Sequence, residues 1–244
     1  YRFEKIGYVV VPFNAGAMEH ATNIAYMQAL VNGYTQYEST MAHELSHHWF
    51  GDLVTCSTAG DMWLNEGLAS YCEALHLENV YGASSYLNEI RSNHYDVLNK
   101  AHIEDDGYKA VANIDSLHTY GPTVYNKGKD VTHTLRSYMG DTLFFNTIRN
   151  FVNTHKFQSI NSIQFRDYLT AQSGIDLTDY FNNWIFAPGF THFSIDSSHV
   201  IPAGSDFNVS VFMRQRKHHA TDYYNHVPLE VAFFNDQMIP SIYK

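Results

Sequence analysis

Two histidines four residues apart, His43 and His47 in MAHELSHHWFGD (residues 41–52), restrict this chain more than any other feature. On an α-helix that spacing leaves the side chains about 40° apart around the axis and roughly 6 Å apart along it, so their imidazoles can converge on one point. Tetrahedral Zn²⁺ asks this of its first two ligands, at Zn–N distances of about 2.0–2.1 Å. The pattern predicts a helix over residues 36 to 50, capped by Thr35 or Ser39 and stopped by Gly51. Composition tempers the motif. The chain holds 15 histidines, and an H-E-x-x-H string arises by chance in roughly 4% of chains of this make-up.

A catalytic zinc takes three protein ligands and keeps a fourth position open, so the third must come from another element. A second helix is expected in DMWLNEGLASYCEALHLENVYG, with Asp61 as its cap, a stripe of Leu64, Leu68, Tyr71 and Leu75, and Gly82 after its end. Glu66 lies on it, nineteen residues beyond His47. From the residues alone, metal ligand and plain surface glutamate both stay open for Glu66. Glu44 follows His43 about 100° further round the helix, near the metal without being forced to bind it. That is the place of a general base, and in this motif the glutamate takes the proton from zinc-bound water. His48 stands about 140° off the ligand face and reads as structural.

Elsewhere the chain reads as α+β. Strands are expected over residues 1 to 13, and an edge strand or loop in NAGAMEH. Helical patterns follow at 83 to 98, from Pro122 toward Gly140, and at 141 to 153, 162 to 172 and 176 to 186, with an irregular connector at 101 to 120. From Thr191 apolar residues alternate, which predicts strands, and 54 residues are few for a complete sandwich. A boundary near Pro188-Gly189 divides the chain into a zinc-site unit, 1–189, and a β-rich segment, 190–244, read as part of a β-sandwich. A hydrophobic content of 45% suffices for a full core.

The net charge of −10, from 25 acidic and 15 basic residues, argues against a nucleic-acid partner. The run RQRKHH (214–219) reads as a solvated strand end. No apolar run reaches the 18 or so residues of a membrane span, and no export signal is visible. The start at Tyr1, inside strand-like sequence, reads as that of a fragment. Cys56 and Cys72 form no C-x-x-C pair and read as small buried hydrophobes. Compartment and oligomeric state are left open.

The motifs GAMEH, HELSHHWFGDLVT, WLNEGLASYCE and YNKG, in this order and at these distances, closely resemble the aminopeptidase N and leukotriene hydrolase family of zinc metallopeptidases, the gluzincins with an N-terminal exopeptidase site. The similarity runs from about Tyr1 to Gly189 and includes the stretch FVNTHKFQSINSIQFRDYLTAQSGIDLTDYFNNWIFAPGF. The resemblance implies a thermolysin-like, predominantly helical catalytic domain with a small N-terminal β portion, of a kind normally preceded by a β-rich domain and followed by β structure. It implies one Zn²⁺ on His43, His47 and Glu66, with Glu44 as base and acid. It further implies that Tyr125 steadies the tetrahedral intermediate and that Glu19 holds the substrate's free α-amino group, with the backbone of Gly16 and Ala17 along the peptide. Expected partners are peptides with a free N-terminus.

Two positions depart from the family pattern. His20 stands where Asn is usual, and CSTAGD follows LVT where tryptophan-rich sequence is common. Neither is a metal ligand. The expected function is a zinc aminopeptidase. The alternatives are a non-catalytic peptide-binding or scaffold member of the same fold, and an endopeptidase or epoxide hydrolase using the same zinc site.

Overall fold

The computed structural model describes residues 4–235 and 237–243. The chain opens with β1 (Gly7–Val11), β2 (Ala17–Met18) and β3 (Asn23–Met27), a sheet in the order β1-β3-β2 with β1 parallel and β2 antiparallel to β3. The first three residues of the strand expected over 1–13 lie outside the described residues. Ile24, Ala25 and Tyr26 make β3 the buried strand, and β1 and β2 are the two edges.

A 3₁₀ turn, Thr35–Tyr37, feeds straight into α1 (Glu38–Ser46). The cap is therefore Tyr37, with no side-chain bond, and not Thr35 or Ser39. The Glu38 amide bonds the Thr35 carbonyl instead, which takes up an end group that a hydroxyl would otherwise serve. The helix also stops sooner than residue 50, but His47 keeps helical angles (φ −58°, ψ −22°) and its amide still bonds the His43 carbonyl at 3.3 Å.

The second helix starts later than expected. After β4 (Val54–Cys56), residues Ala59–Leu64 form a 3₁₀ helix, and α2 (Glu66–Tyr81) begins only at Glu66. Asp61 caps nothing, because its buried carboxylate is engaged from a hundred residues away by the Ser162 amide (3.2 Å) and hydroxyl. A long-range acceptor role outweighs a local capping propensity here. Gly82 ends α2 at φ +89°, as its position after the apolar stripe predicts.

Helices α3 (Ala83–Asp96), α4 (His102–Glu104), α5 (Gly128–Met139), α6 (Asp141–Thr154), α7 (Ser162–Ser173) and α8 (Thr178–Tyr180) follow, with β5 (Gln158–Ile160) paired parallel to β4. Wide single turns of π type, Thr123–Lys127 and Phe181–Ile185, lead into α5 and out of α8. Asn161 and Gln164 form a reciprocal capping box at α7. Helix α2 is central, packed against α1, α3 and α5, and buried almost throughout its first half. Trp63, Tyr71, Leu135, Phe151, Phe165 and Phe181 anchor the core around it.

From Phe190 the chain is extended. β6 (Phe190–Ala203) and β7 (Asp206–His218) form one antiparallel pair, and β8 (Val231–Phe234) and β9 (Pro240–Tyr243) another. RQRKHH runs along the exposed end of β7, and Arg214 pairs with Asp196. Cys56 and Cys72 are free and half-buried. No helix among the described residues is long and apolar enough to cross a membrane.

Candidate metal centre

Three acceptor atoms meet between α1 and α2. His43 Nε2 and His47 Nε2 are 3.0 Å apart, and Glu66 Oε2 is 3.2 Å from each. His47 Nδ1 lies 2.9 Å from the Phe50 carbonyl, which can only accept, so the proton sits on Nδ1 and Nε2 presents a lone pair. His43 Nδ1 lies 2.7 Å from Glu73 Oε1, again an acceptor. Two bare imidazole nitrogens and a carboxylate oxygen thus face one another, an arrangement that requires a positive centre. A tetrahedron with metal–ligand distances of about 2.0–2.1 Å has edges of roughly 3.3 Å. The triangle fits three of its corners, and the donor set of two neutral histidines and a glutamate suits Zn²⁺.

Trp63, Asn65 and Gly67 of WLNEG each have a task in holding Glu66. Trp63 Nε1 donates to Ser162 Oγ at 2.8 Å, anchoring the turn in the core. Asn65 accepts from the Cys56 amide at 2.9 Å and donates to Thr55 Oγ1 at 3.0 Å, clamping the start of α2 to β4. Glu66 is then the first residue of α2, where the helix dipole favours a negative charge. Gly67 meets Gly128 of α5 backbone to backbone: a Cβ on Gly67 would stand 2.9 Å from Gly128 Cα. That approach brings Tyr125 to Glu66. On the other side, Gly51 (φ +145°) turns the chain back so closely that a Cβ would be 3.2 Å from His47 Nδ1.

The charges agree with this geometry. Burial depresses the basicity of His43, but hydrogen bonds to Glu66 and Glu73 outweigh it and lift the pKa to about 9. Burial disfavours Glu66 as an anion, and His43 and His47 pull it down to about 2 regardless. Without a metal, a proton therefore holds the triangle together. Zinc must displace it, so affinity should rise with pH up to about 9, by about tenfold per unit for one proton lost. Chelator-competition titrations between about pH 6.5 and 8.5 check this, and a flat profile there would contradict it.

Glu44, Glu19 and His47 form a second cluster, their ligand-type atoms all within 4.8 Å of one another. Burial lifts Glu44 to about 7, with Glu19 and Glu66 adding to the rise and the two histidines opposing it. Glu19 follows edge strand β2, which packs beside α1, so Gly16 and Ala17 flank the same face. Tyr125 stacks on His43 (ring centroids 6.0 Å, interplanar angle 17°). Burial and then the Glu66 charge push its pKa far above the ordinary phenol range. His48 points away from the triangle. It is fully buried and its Nε2 accepts the Thr22 amide at 2.9 Å, tying the β2–β3 turn to the end of α1. His20 is exposed.

Glu73 and Lys129 complete the surroundings of the triangle, and the sequence reading gave neither a role. Glu73 lies seven residues after Glu66, two helical turns on, and so shares its face. That spacing was the available signal.

Residues 1–184 match the peptidase family M1 domain. Aminopeptidase N of Oryctolagus cuniculus is 30% identical over 249 residues, covering 85% of this chain and 26% of that protein. Aminopeptidase N of Streptomyces lividans is 31% identical over 207 residues, covering 78% and 24%. The chain spans about a quarter of the length of these curated relatives. The M1 zinc metallopeptidase from Deinococcus radiodurans shares the fold with a TM-score of 0.64 at 23% identity, over 74% of this chain and 39% of that one. Native leukotriene A4 hydrolase from Saccharomyces cerevisiae does so with a TM-score of 0.65 at 22% identity, over 76% and 32%.

Proposed function

The chain belongs to peptidase family M1, and from that premise we propose that it is the zinc-dependent catalytic part of an aminopeptidase, cleaving the first peptide bond of peptides with a free N-terminus. Residues 1–189 are read as a thermolysin-like catalytic unit and 190–244 as part of a β-sandwich. The observation that carries the proposal is the triangle of His43 Nε2, His47 Nε2 and Glu66 Oε2, three acceptors at 3.0–3.2 Å with Glu44 beside them.

His43, His47 and Glu66 would hold the zinc. When bound, it supplies Lewis acidity that polarises a carbonyl and acidifies water from a pKa of 15.7 to about 7. Glu44, poised near 7, takes the proton of the attacking water and passes it to the departing amine nitrogen. Tyr125 donates its hydroxyl to the oxygen that gains charge. Edge strand β2 and the Gly16 just before it offer backbone groups at Gly16 and Ala17 to an extended peptide. Glu19 pairs with the α-ammonium, so only the first carbonyl reaches the attacking water.

Fluorogenic aminoacyl amides, assayed with a chelator and after zinc is restored, test this reading. Turnover should vanish and return. Glu19→Ala is expected to lose most activity on free-amino substrates, by about 10²-fold for a close ammonium–carboxylate pair, and far less on N-acetylated ones. Equal losses on both would remove the amine anchor and favour an internally cleaving peptidase.

A further inference from the structure

Lys129 is a buried cation between two carboxylates. Its Nζ lies 2.9 Å from Glu73 Oε2 and 2.8 Å from Glu89 Oε1, and only 7% of its side chain is exposed. Glu73 turns its other oxygen, Oε1, to His43 Nδ1 at 2.7 Å. One chain of contacts therefore runs from α1 through α2 and α5 to α3: His43, Glu73, Lys129, Glu89. Tyr125 and Lys129 are four residues apart, as one helical turn requires for a shared face, and Glu66 and Glu73 are seven apart on α2. Lys129 thus reaches Glu73, and His43 lies against both carboxylates, Glu66 through Nε2 and Glu73 through Nδ1. The Gly67–Gly128 contact sets the spacing of α2 and α5.

We propose that Lys129 is a positioning residue for the zinc site: by fixing Glu73 it aims the His43 lone pair into the ligand triangle, although it touches neither metal nor substrate. The physical reason lies in the two oxygens of Glu73. A carboxylate with one free oxygen can rotate and offer either to the imidazole, whereas an ammonium on Oε2 leaves Oε1 alone for Nδ1–H. The ammonium keeps its charge there. Burial favours its loss, but Glu73 and Glu89 outweigh that and raise its pKa above the ordinary lysine range. Removing it would leave the half-buried carboxylates of Glu73 and Glu89 without the cation they share.

The inference rests on the zinc reading, and its test separates the two. Zinc dissociation constants are measured by chelator competition for the parent protein, Lys129→Met, Glu73→Ala and the double variant. Absorption spectra of the Co²⁺-loaded proteins report ligand geometry. Lys129→Met should weaken zinc by about 10–100-fold and alter the Co²⁺ spectrum. In the Glu73→Ala background the same substitution should add less than about twofold, since independent sites add and coupled ones do not. Lys129→Gln, which keeps an N–H donor without the charge, should show a smaller loss in the same direction, and it serves if Lys129→Met does not fold. A parent protein that takes zinc while neither variant shifts affinity by more than about twofold overturns the role of Lys129 alone. So does a loss that persists in full without Glu73. A parent protein that takes no zinc overturns the metal reading, and this proposal with it.

Discussion

Glu44→Gln should bind zinc as tightly as the parent and turn over about 10²–10⁴ times more slowly, the range typical for losing a general base. Glutamine preserves the volume and one oxygen, so the packing of this buried position on α1 is kept. The triangle of His43, His47 and Glu66 does not include Glu44, so metal content should not fall. What disappears is the capacity to accept a proton. That capacity is well placed here: burial lifts the carboxyl to about 7, against the pull of the two histidines. A base in this range is ionised in the upper half of the neutral region and still basic enough to take a proton from activated water. Metal analysis beside a turnover assay decides the matter. Retained activity would mean that another group is the base, and lost zinc would mean that Glu44 is itself a ligand.

How far the sequence led can be read from single residues. The His43–His47 pair was legible because a four-residue spacing has one consequence on a helix, and the structure brings both Nε2 atoms to 3.0 Å. Glu66 was less so. Its geometry depends on the turn 59–65, whose form is set by contacts remote in sequence: Asp61 with Ser162, Trp63 with Ser162, Asn65 with Thr55. Local propensity placed the cap of α2 at Asp61, four residues before Asn65, because it cannot see a partner a hundred positions away. Tyr125 could not be singled out among 18 tyrosines by any spacing argument. It reaches Glu66 because two glycines on different helices touch, a tertiary fact. His48 shows the reverse case, in which helical angle alone separates a ring that braces the Thr22 turn from the two that meet at the triangle.

Tyr125→Phe is expected to cost about 10²–10³ in kcat, the usual effect of deleting one donor to a developing oxyanion, with zinc affinity within a few-fold of the parent. The substitution is narrow. Phenylalanine keeps the ring that lies parallel to His43 at 6.0 Å, so the imidazole retains its neighbour and the wide turn Thr123–Lys127 its filling. Only the hydroxyl goes. That hydroxyl remains a donor at any working pH, because burial first and the Glu66 charge second push its pKa far above the ordinary phenol range. The Glu66 charge already acts on that hydroxyl, and a substrate oxygen that gains negative charge beside the same carboxylate would compete for it. The benefit should therefore grow between ground state and transition state, which places the loss in kcat and leaves KM nearly unchanged. A variant that loses affinity for substrate in step with kcat/KM, at undiminished kcat, would assign Tyr125 to uniform binding and take it out of the chemical step.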